Sequence, residues 1–186
     1  FTLRLGLLAL SLGVIVGIPA GVVAALKQNT WVDYLTSFVT TIGISVPGFV
    51  VAIFLIFIFA VGLHLIPVLP KWEDPVSWIM PAAVLGFGTM ASLARYTRTQ
   101  MLDVMRQDYI RTARAKGLQE RVVVLKHMLR NSLIPVVTIL GPAIAGLITG
   151  SFIIEQMFSF PGIGAEFVVS IFNRDYSMIM GTTLFL

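Results

Sequence analysis

Four stretches of this sequence stay apolar for the length a helix needs to cross a lipid bilayer, about 20 residues. They are residues 5–26, 38–66, 79–94 and 134–154, and a fifth begins near Tyr176. The second is long enough to hold a tilted or broken helix, and the third reaches full length by extending back through 75–78. No Asp, Glu, Lys or Arg lies inside any of the four, and His64 stands at the outer end of the second. With 57% hydrophobic and 12% charged residues over 186 positions, the chain has too little charge to coat a soluble domain. The expectation is an all-α fold: a polytopic bundle of membrane helices, one domain over 1–186, without internal repeat or low-complexity linker. The apolar run after Arg4 is too long for the core of a signal peptide and is followed by further spans. The chain opens almost at a span and closes early in another, so it reads as the core of a longer protein.

Nine of the thirteen Lys and Arg residues fall between Arg95 and Arg130. A basic block can serve nucleic acid, but beside spans this apolar it marks a cytoplasmic loop. Alternating from there puts 67–78 outside, 27–37 inside, and the start of the chain and 155–175 outside. The outer segments carry no basic excess: Lys71 stands against Glu73 and Asp74, and Arg174 against Glu155, Glu166 and Asp175. Trp31, Trp72 and Trp78 fall at span ends, where interfacial anchors sit. Pro19, Pro47 with Gly48, and Gly141 with Pro142 interrupt the apolar runs. Such breaks persist where neighbouring protein or a wet cavity satisfies the freed backbone groups. Gly13, Gly17 and Gly21 recur every four residues, as do Gly146 and Gly150. That spacing suits close backbone approach, within the chain or against a second subunit.

The spans hold little that does chemistry. Buried ionisable groups mark proton relays and ion-coupled sites, and their absence argues against a proton- or sodium-driven carrier. It argues equally against an intramembrane protease, which needs a nucleophile and base or paired aspartates. His64 and His127 read as an interfacial and a surface residue. Cysteine is absent and carboxylates do not cluster, so no metal ligand set is expected. No Gly-rich loop ends in Gly-Lys-Ser or Gly-Lys-Thr, so the chain is expected to bind no nucleotide and no other cofactor. Thr40, Thr41, Ser45, Thr138 and Thr149 are polar within spans, and either line a pathway or bond to their own helices.

The informative segment is the basic one. It reads Gln107-Asp108-Tyr109-Ile110-Arg111-Thr112-Ala113-Arg114-Ala115-Lys116-Gly117-Leu118 and runs on to Arg130-Asn131-Ser132-Leu133-Ile134-Pro135. No Pro interrupts 95–134, and Ala, Arg, Lys and Leu favour helix. Asp108 suits a helix N-terminus as a cap or a charge, while Lys116 and then Gly117 suit a C-terminal end. Beyond Gly117, Leu118, Val122, Leu125 and Leu129 share one face at helical spacing. The expectation is a short helix, a glycine turn and a second amphipathic helix returning to the membrane. On pattern alone this is either a solvated loop held down by anionic lipid or an element that docks into a partner.

At these residues the chain resembles the ABC importer permeases, in the form found in dipeptide and oligopeptide permeases. The stretch from Asp108 to Leu118 is similar to that branch's cytoplasmic coupling loop, and Arg130 to Pro135 to its usual end. The general importer motif begins Glu-Ala-Ala and places Gly four residues after the second Ala. Ala113 and Gly117 keep that spacing, whereas Arg111 and Thr112 replace the Glu and the first Ala, a departure typical of the peptide branch. Gly17-Ile18-Pro19, Ser45-Val46-Pro47-Gly48-Phe49, Phe160-Pro161-Gly162-Ile163-Gly164 and Asn173-Arg174-Asp175-Tyr176 are also similar to the family. By that comparison a first span before Phe1 and most of the last span after Leu186 are expected to be missing.

The resemblance implies a non-enzymatic permease subunit in the bacterial plasma membrane, multi-pass. It would work with a second homologous permease subunit, two ABC ATPase subunits that bind ATP, and an extracytoplasmic peptide-binding protein. The coupling loop would comprise Asp108, Tyr109, Arg111, Thr112, Ala113, Arg114, Ala115, Lys116, Gly117 and Leu118. Import of a nickel chelate is an alternative cargo, and a carrier or channel without an ATPase an alternative mechanism.

Overall fold

The computed structural model describes residues 1–67, 71–149 and 151–185, and among them every regular element is a helix. In chain order these are α1 (Thr2–Leu26), α2 (Trp31–Ser45), α3 (Gly48–Gly62) and α4 (Val76–Met105). There follow α5 (Asp108–Ala115), α6 (residues 120–149), α7 (Phe152–Met157), α8 (Ile163–Asn173) and α9 (Tyr176–Phe185). Helices α1, α4 and α6 are long and apolar enough to cross a membrane, and α2 with α3 makes an apolar pair bent by 108°, the geometry of a broken span or a re-entrant loop. Exposed Ile15, Phe57 and Ile134 show the apolar exterior expected of helices solvated by lipid.

Two of the three expected interruptions disturb the helices, while α6 runs unbroken through Gly141 and Pro142. Between α2 and α3, Val46 and Pro47 are extended, at ψ 125 and 138. A proline pushes the residue before it out of helical conformation and donates no hydrogen bond of its own. In α1 a π-helical turn over Gly13–Gly17 precedes Pro19. A wider turn of that kind absorbs the proline ring and its missing N–H without ending the helix.

Helix α4 is the axis of the bundle and packs against α1, α2, α3 and α6. The glycine row of α1 makes this possible. A Cβ on Gly17 would stand 2.6 Å from the Met90 carbonyl oxygen, and one on Gly21 would strike the Ala94 carbonyl. Gly86 of α4 reciprocates, with Ala9 O 2.8 Å from where its Cβ would be. These glycines therefore bring helices together within the chain. Gly150 lies outside the described residues, as does the side chain of Thr149. The hydroxyls of Thr40 and Thr41 donate to Ser37 O, and that of Thr138 donates to Ile134 O, so these three bond to their own helices.

Several boundaries differ from the hydropathy reading. The basic stretch 95–130 is no loop: α4 continues through Arg95 and Arg98 to Met105, because Arg, Tyr, Gln and Met sustain a helix after apolarity ends. Most of 27–37 belongs to α2, and most of 155–175 to α7 and α8. Trp31 is 74% exposed at the head of α2, as an interfacial anchor would be, but Trp78 is buried. It packs with Phe1, Trp72 and Phe160, with ring centroids 5.2–5.8 Å away, and its Nε1 donates to Trp72 O at 2.9 Å.

The two ends of the bundle are distinct. One gathers Phe1, Leu5, Trp72, Trp78 and Phe160, the end assigned to the outside. The other gathers Ala25, Met101, Ile110, Ala113, Val123 and Met128, the end assigned to the cytoplasm. There Asp33 of α2, 2% exposed, accepts hydrogen bonds from Arg98 Nε at 2.5 Å and Nη2 at 2.8 Å, and from the Asn29 N–H at 3.0 Å.

Candidate functional site

At the cytoplasmic end the chain makes an elbow between α4 and α6, and α5 is its outer arm. Gln107 is extended and leads into α5 without a side-chain cap. Asp108 is the first helical residue; it charges the first turn, with Oδ1 3.8 Å from Arg111, and does not cap it. The helix ends in a Schellman motif: the Gly117 N–H donates to Arg114 O at 2.9 Å and the Leu118 N–H to Ala113 O at 3.4 Å. Gly117 sits at φ +74, the left-handed region that a side chain penalises. So the helix, glycine turn and returning helix stand where Gly117 and the apolar spacing put them.

Of the ten candidate residues, Ala113 alone is buried; Asp108, Tyr109, Arg111, Thr112, Arg114, Ala115, Lys116, Gly117 and Leu118 face outward. Ala113 and Ile110, which lies outside the candidate set, are the anchors. They pack with Ala25 of α1, Met101 of α4, and Val123 and Met128 of α6. The elbow thereby shares one apolar cluster with three membrane helices and packs chiefly against α6. Polar contacts reinforce it. Asn131 Nδ2 donates to Tyr109 Oη at 3.0 Å, and buried Ser132 Oγ donates to Leu129 O at 3.0 Å. The Asn131 contact ties the Arg130-to-Pro135 stretch to α5, while the Ser132 bond stays within α6. Arg114 reaches across the glycine turn to Glu120, Nε to Oε2 at 3.1 Å and Nη2 to Oε1 at 2.6 Å. That pair is exposed, contributing about 0–1 kcal/mol, and it bridges the glycine turn.

The apolar face of α6 behaves differently from expectation. Leu118, Val122 and Leu125 are exposed, and only Leu129 packs partly against the core. The buried pair is Val123 and Met128, five residues apart, because α6 is π-helical over Val123–Leu129. A π turn shifts the buried face by one residue per turn, which a 3.6-residue pattern does not reveal. The result is an outward apolar strip beside Arg111, Arg114 and Lys116. Apolar side chains rimmed by charge mark a contact surface for another protein or for a membrane.

The model of the family described as binding-protein-dependent transport system inner membrane component matches residues 17–186. The chain belongs to that family. This inner membrane component is 48% identical over 182 residues to the dipeptide transport system permease protein DppB of Bacillus subtilis, covering 98% of this chain and 59% of the relative. It is 44% identical to the Lactococcus lactis protein of the same name, covering 98% and 60%. It is 45% identical to the oligopeptide transport system permease protein OppB of Escherichia coli K12, covering 97% and 60%. The chain spans about 60% of the length of the curated relatives it matches. As a family member it is a multi-pass inner membrane protein, consistent with its spans. Among the described residues, no group of three or more His, Asp or Glu is placed to hold a metal ion.

Proposed function

We propose that this chain is the membrane-spanning permease domain of an ATP-driven importer of dipeptides or oligopeptides. One observation carries the mechanism: α5 presents Tyr109, Arg111, Arg114, Lys116 and Leu118 outward while Ile110 and Ala113 tie it to α1, α4 and α6. A short helix held this way passes a push to three spans at once. With no phosphate-binding loop in the chain, the push comes from ATPase subunits, two by the family's pattern. Their closure on ATP would carry α5 and tilt the attached helices as a rigid body, opening the pathway outward. A second permease subunit would complete the pathway, and an extracytoplasmic binding protein would supply peptide. The names of the relatives above support peptide over a nickel chelate as cargo. The four apolar runs carry no fixed charge, which suits cargo of varied sequence.

Gly117→Pro tests the docking role. A proline at 117 cannot adopt φ +74 and removes the N–H that closes the Schellman turn onto Arg114 O. In the full-length protein the variant is expected to insert normally, lose co-purification with the ATPase about tenfold or more, and lose uptake with it. Undiminished ATPase binding would remove α5 from the docking role.

A further inference from the structure

The outer end holds a buried carboxylate that the coupling mechanism does not use. Glu155 of α7 reads from sequence as one more solvated charge in an outer loop, yet it is 1% exposed. Its Oε1 accepts from Thr2 Oγ1 at 3.1 Å, and its Oε2 from the Ala165 N–H at 3.0 Å. Thr2 Oγ1 in turn accepts from the Ile163 N–H at 3.0 Å. The carboxylate therefore lies against the first turn of α8, where helix N–H groups are otherwise unpaired and the helix end is positive. Burial pushes its protonation equilibrium up, and the bonds from Ala165, Thr2 and Gly164 pull against that.

The glycines of Phe160-Pro161-Gly162-Ile163-Gly164 have their reason here. A Cβ on Gly162 would collide with the Glu155 carboxylate, and one on Gly164 would stand 2.8 Å from its Oε2. Only a chain without side chains at both positions lets α8 sit on the carboxylate. Beside it, Phe160 is 1% exposed and packs edge-on to Trp72, Trp78 and Phe1. Arg4 closes the cluster over Trp78, 5.1 Å from the ring centroid. The starts of α1 and α4 and the α7–α8 segment thus form one plug at the outer end.

We propose that Glu155, through Thr2 and the first turn of α8, is the latch that holds the outer end of this permease closed, and that outward opening requires its release. The bonds are few and local, and opening would return a desolvated carboxylate to water. Lost hydrogen bonds and regained hydration oppose each other, so release of the carboxylate itself costs less than its bonds alone suggest. Glu155 is a positioning residue; it needs no contact with cargo. The latch rests on the importer reading above for its link to ATP.

The test uses the full-length protein in its assembled complex in nanodiscs, on a background free of cysteine; this chain contributes none. Spin labels at Leu3→Cys and Glu166→Cys, both exposed, report the separation of α1 and α8. Without nucleotide the parent complex is expected to give one short distance. Glu155→Ala and Thr2→Val are each expected to shift the ratio of open to closed forms about tenfold towards longer distances. Each should also raise ATP hydrolysis in the absence of binding protein, because the open outer end accompanies the closed ATPase. Distances and ATP hydrolysis that match the parent in both variants would overturn the latch. If Glu155→Ala fails to assemble, Thr2→Val, which keeps the carboxylate and the side-chain shape, decides alone. Failure of the parent complex to import any peptide would refute the importer reading, while the distances would still judge the latch.

Discussion

Arg98→Ala is expected to cost this protein about 1–3 kcal/mol, the usual result of taking a charged hydrogen-bond partner from a buried acceptor when the pair is only partly shielded from water. Asp33 is 2% exposed and takes both its strong hydrogen bonds from the Arg98 guanidinium in a bidentate fork. With the guanidinium gone, the Asn29 N–H and the Ser37 hydroxyl remain, and no positive charge offsets the carboxylate. The pair also joins α2 to α4, so its loss frees the inner end of the bent α2–α3 pair. Removing both charges, as in Asp33→Asn with Arg98→Gln, is expected to recover most of the loss, since no uncompensated charge remains. The full-length protein in detergent, followed by tryptophan fluorescence against temperature, gives the comparison. A single variant as stable as the double one would show that the pair carries no such weight.

Gly21→Leu is expected to separate α1 from α4 and prevent accumulation of folded protein. Even a Cβ at 21 would strike the Ala94 carbonyl and stand 2.8 Å from Thr97 Cβ. Neither can swing aside, because both belong to or lie next to the α4 backbone. Overpacking of a tight contact costs about 1–3 kcal/mol for small insertions and more for larger ones. Gly21→Ala would regain about 1 kcal/mol of helix propensity and still lose on balance. Gly141→Ala in α6 is the control: a Cβ there meets nothing within 4 Å, so that variant should be neutral or slightly stabilised. Equal thermal stability of the Gly21 and Gly141 alanine variants would contradict the packing described for α1.

The spans and the elbow were legible because they rest on strong local signals. Apolar length marks a span, Pro47 marks the bend, and Gly117 marks the end of α5. The glycine row of α1 announced close packing but not its partner, which depends on which helices the bundle makes neighbours. What stayed hidden depends on three-dimensional placement. Hydropathy ends at Ala94, and although the proline-free stretch beyond it favours helix, nothing local told that Arg98 meets Asp33. Glu155 looks like any outer acidic residue until α8 folds onto it; the one signal was the pair of glycines in Phe160-Pro161-Gly162-Ile163-Gly164, which permits a close approach. The π turn in α6 moved the buried face from the expected strip to Val123 and Met128, and left that strip outward, beside the elbow.

Uptake of labelled dipeptides and oligopeptides, with nickel in parallel, by liposomes holding the full-length protein with its partner permease, ATPases and binding protein is the deciding measurement. Peptide accumulation that requires ATP and disappears with Gly117→Pro in α5 is the predicted result. Accumulation without ATP, nickel uptake in place of peptide, or uptake indifferent to Gly117→Pro would contradict it.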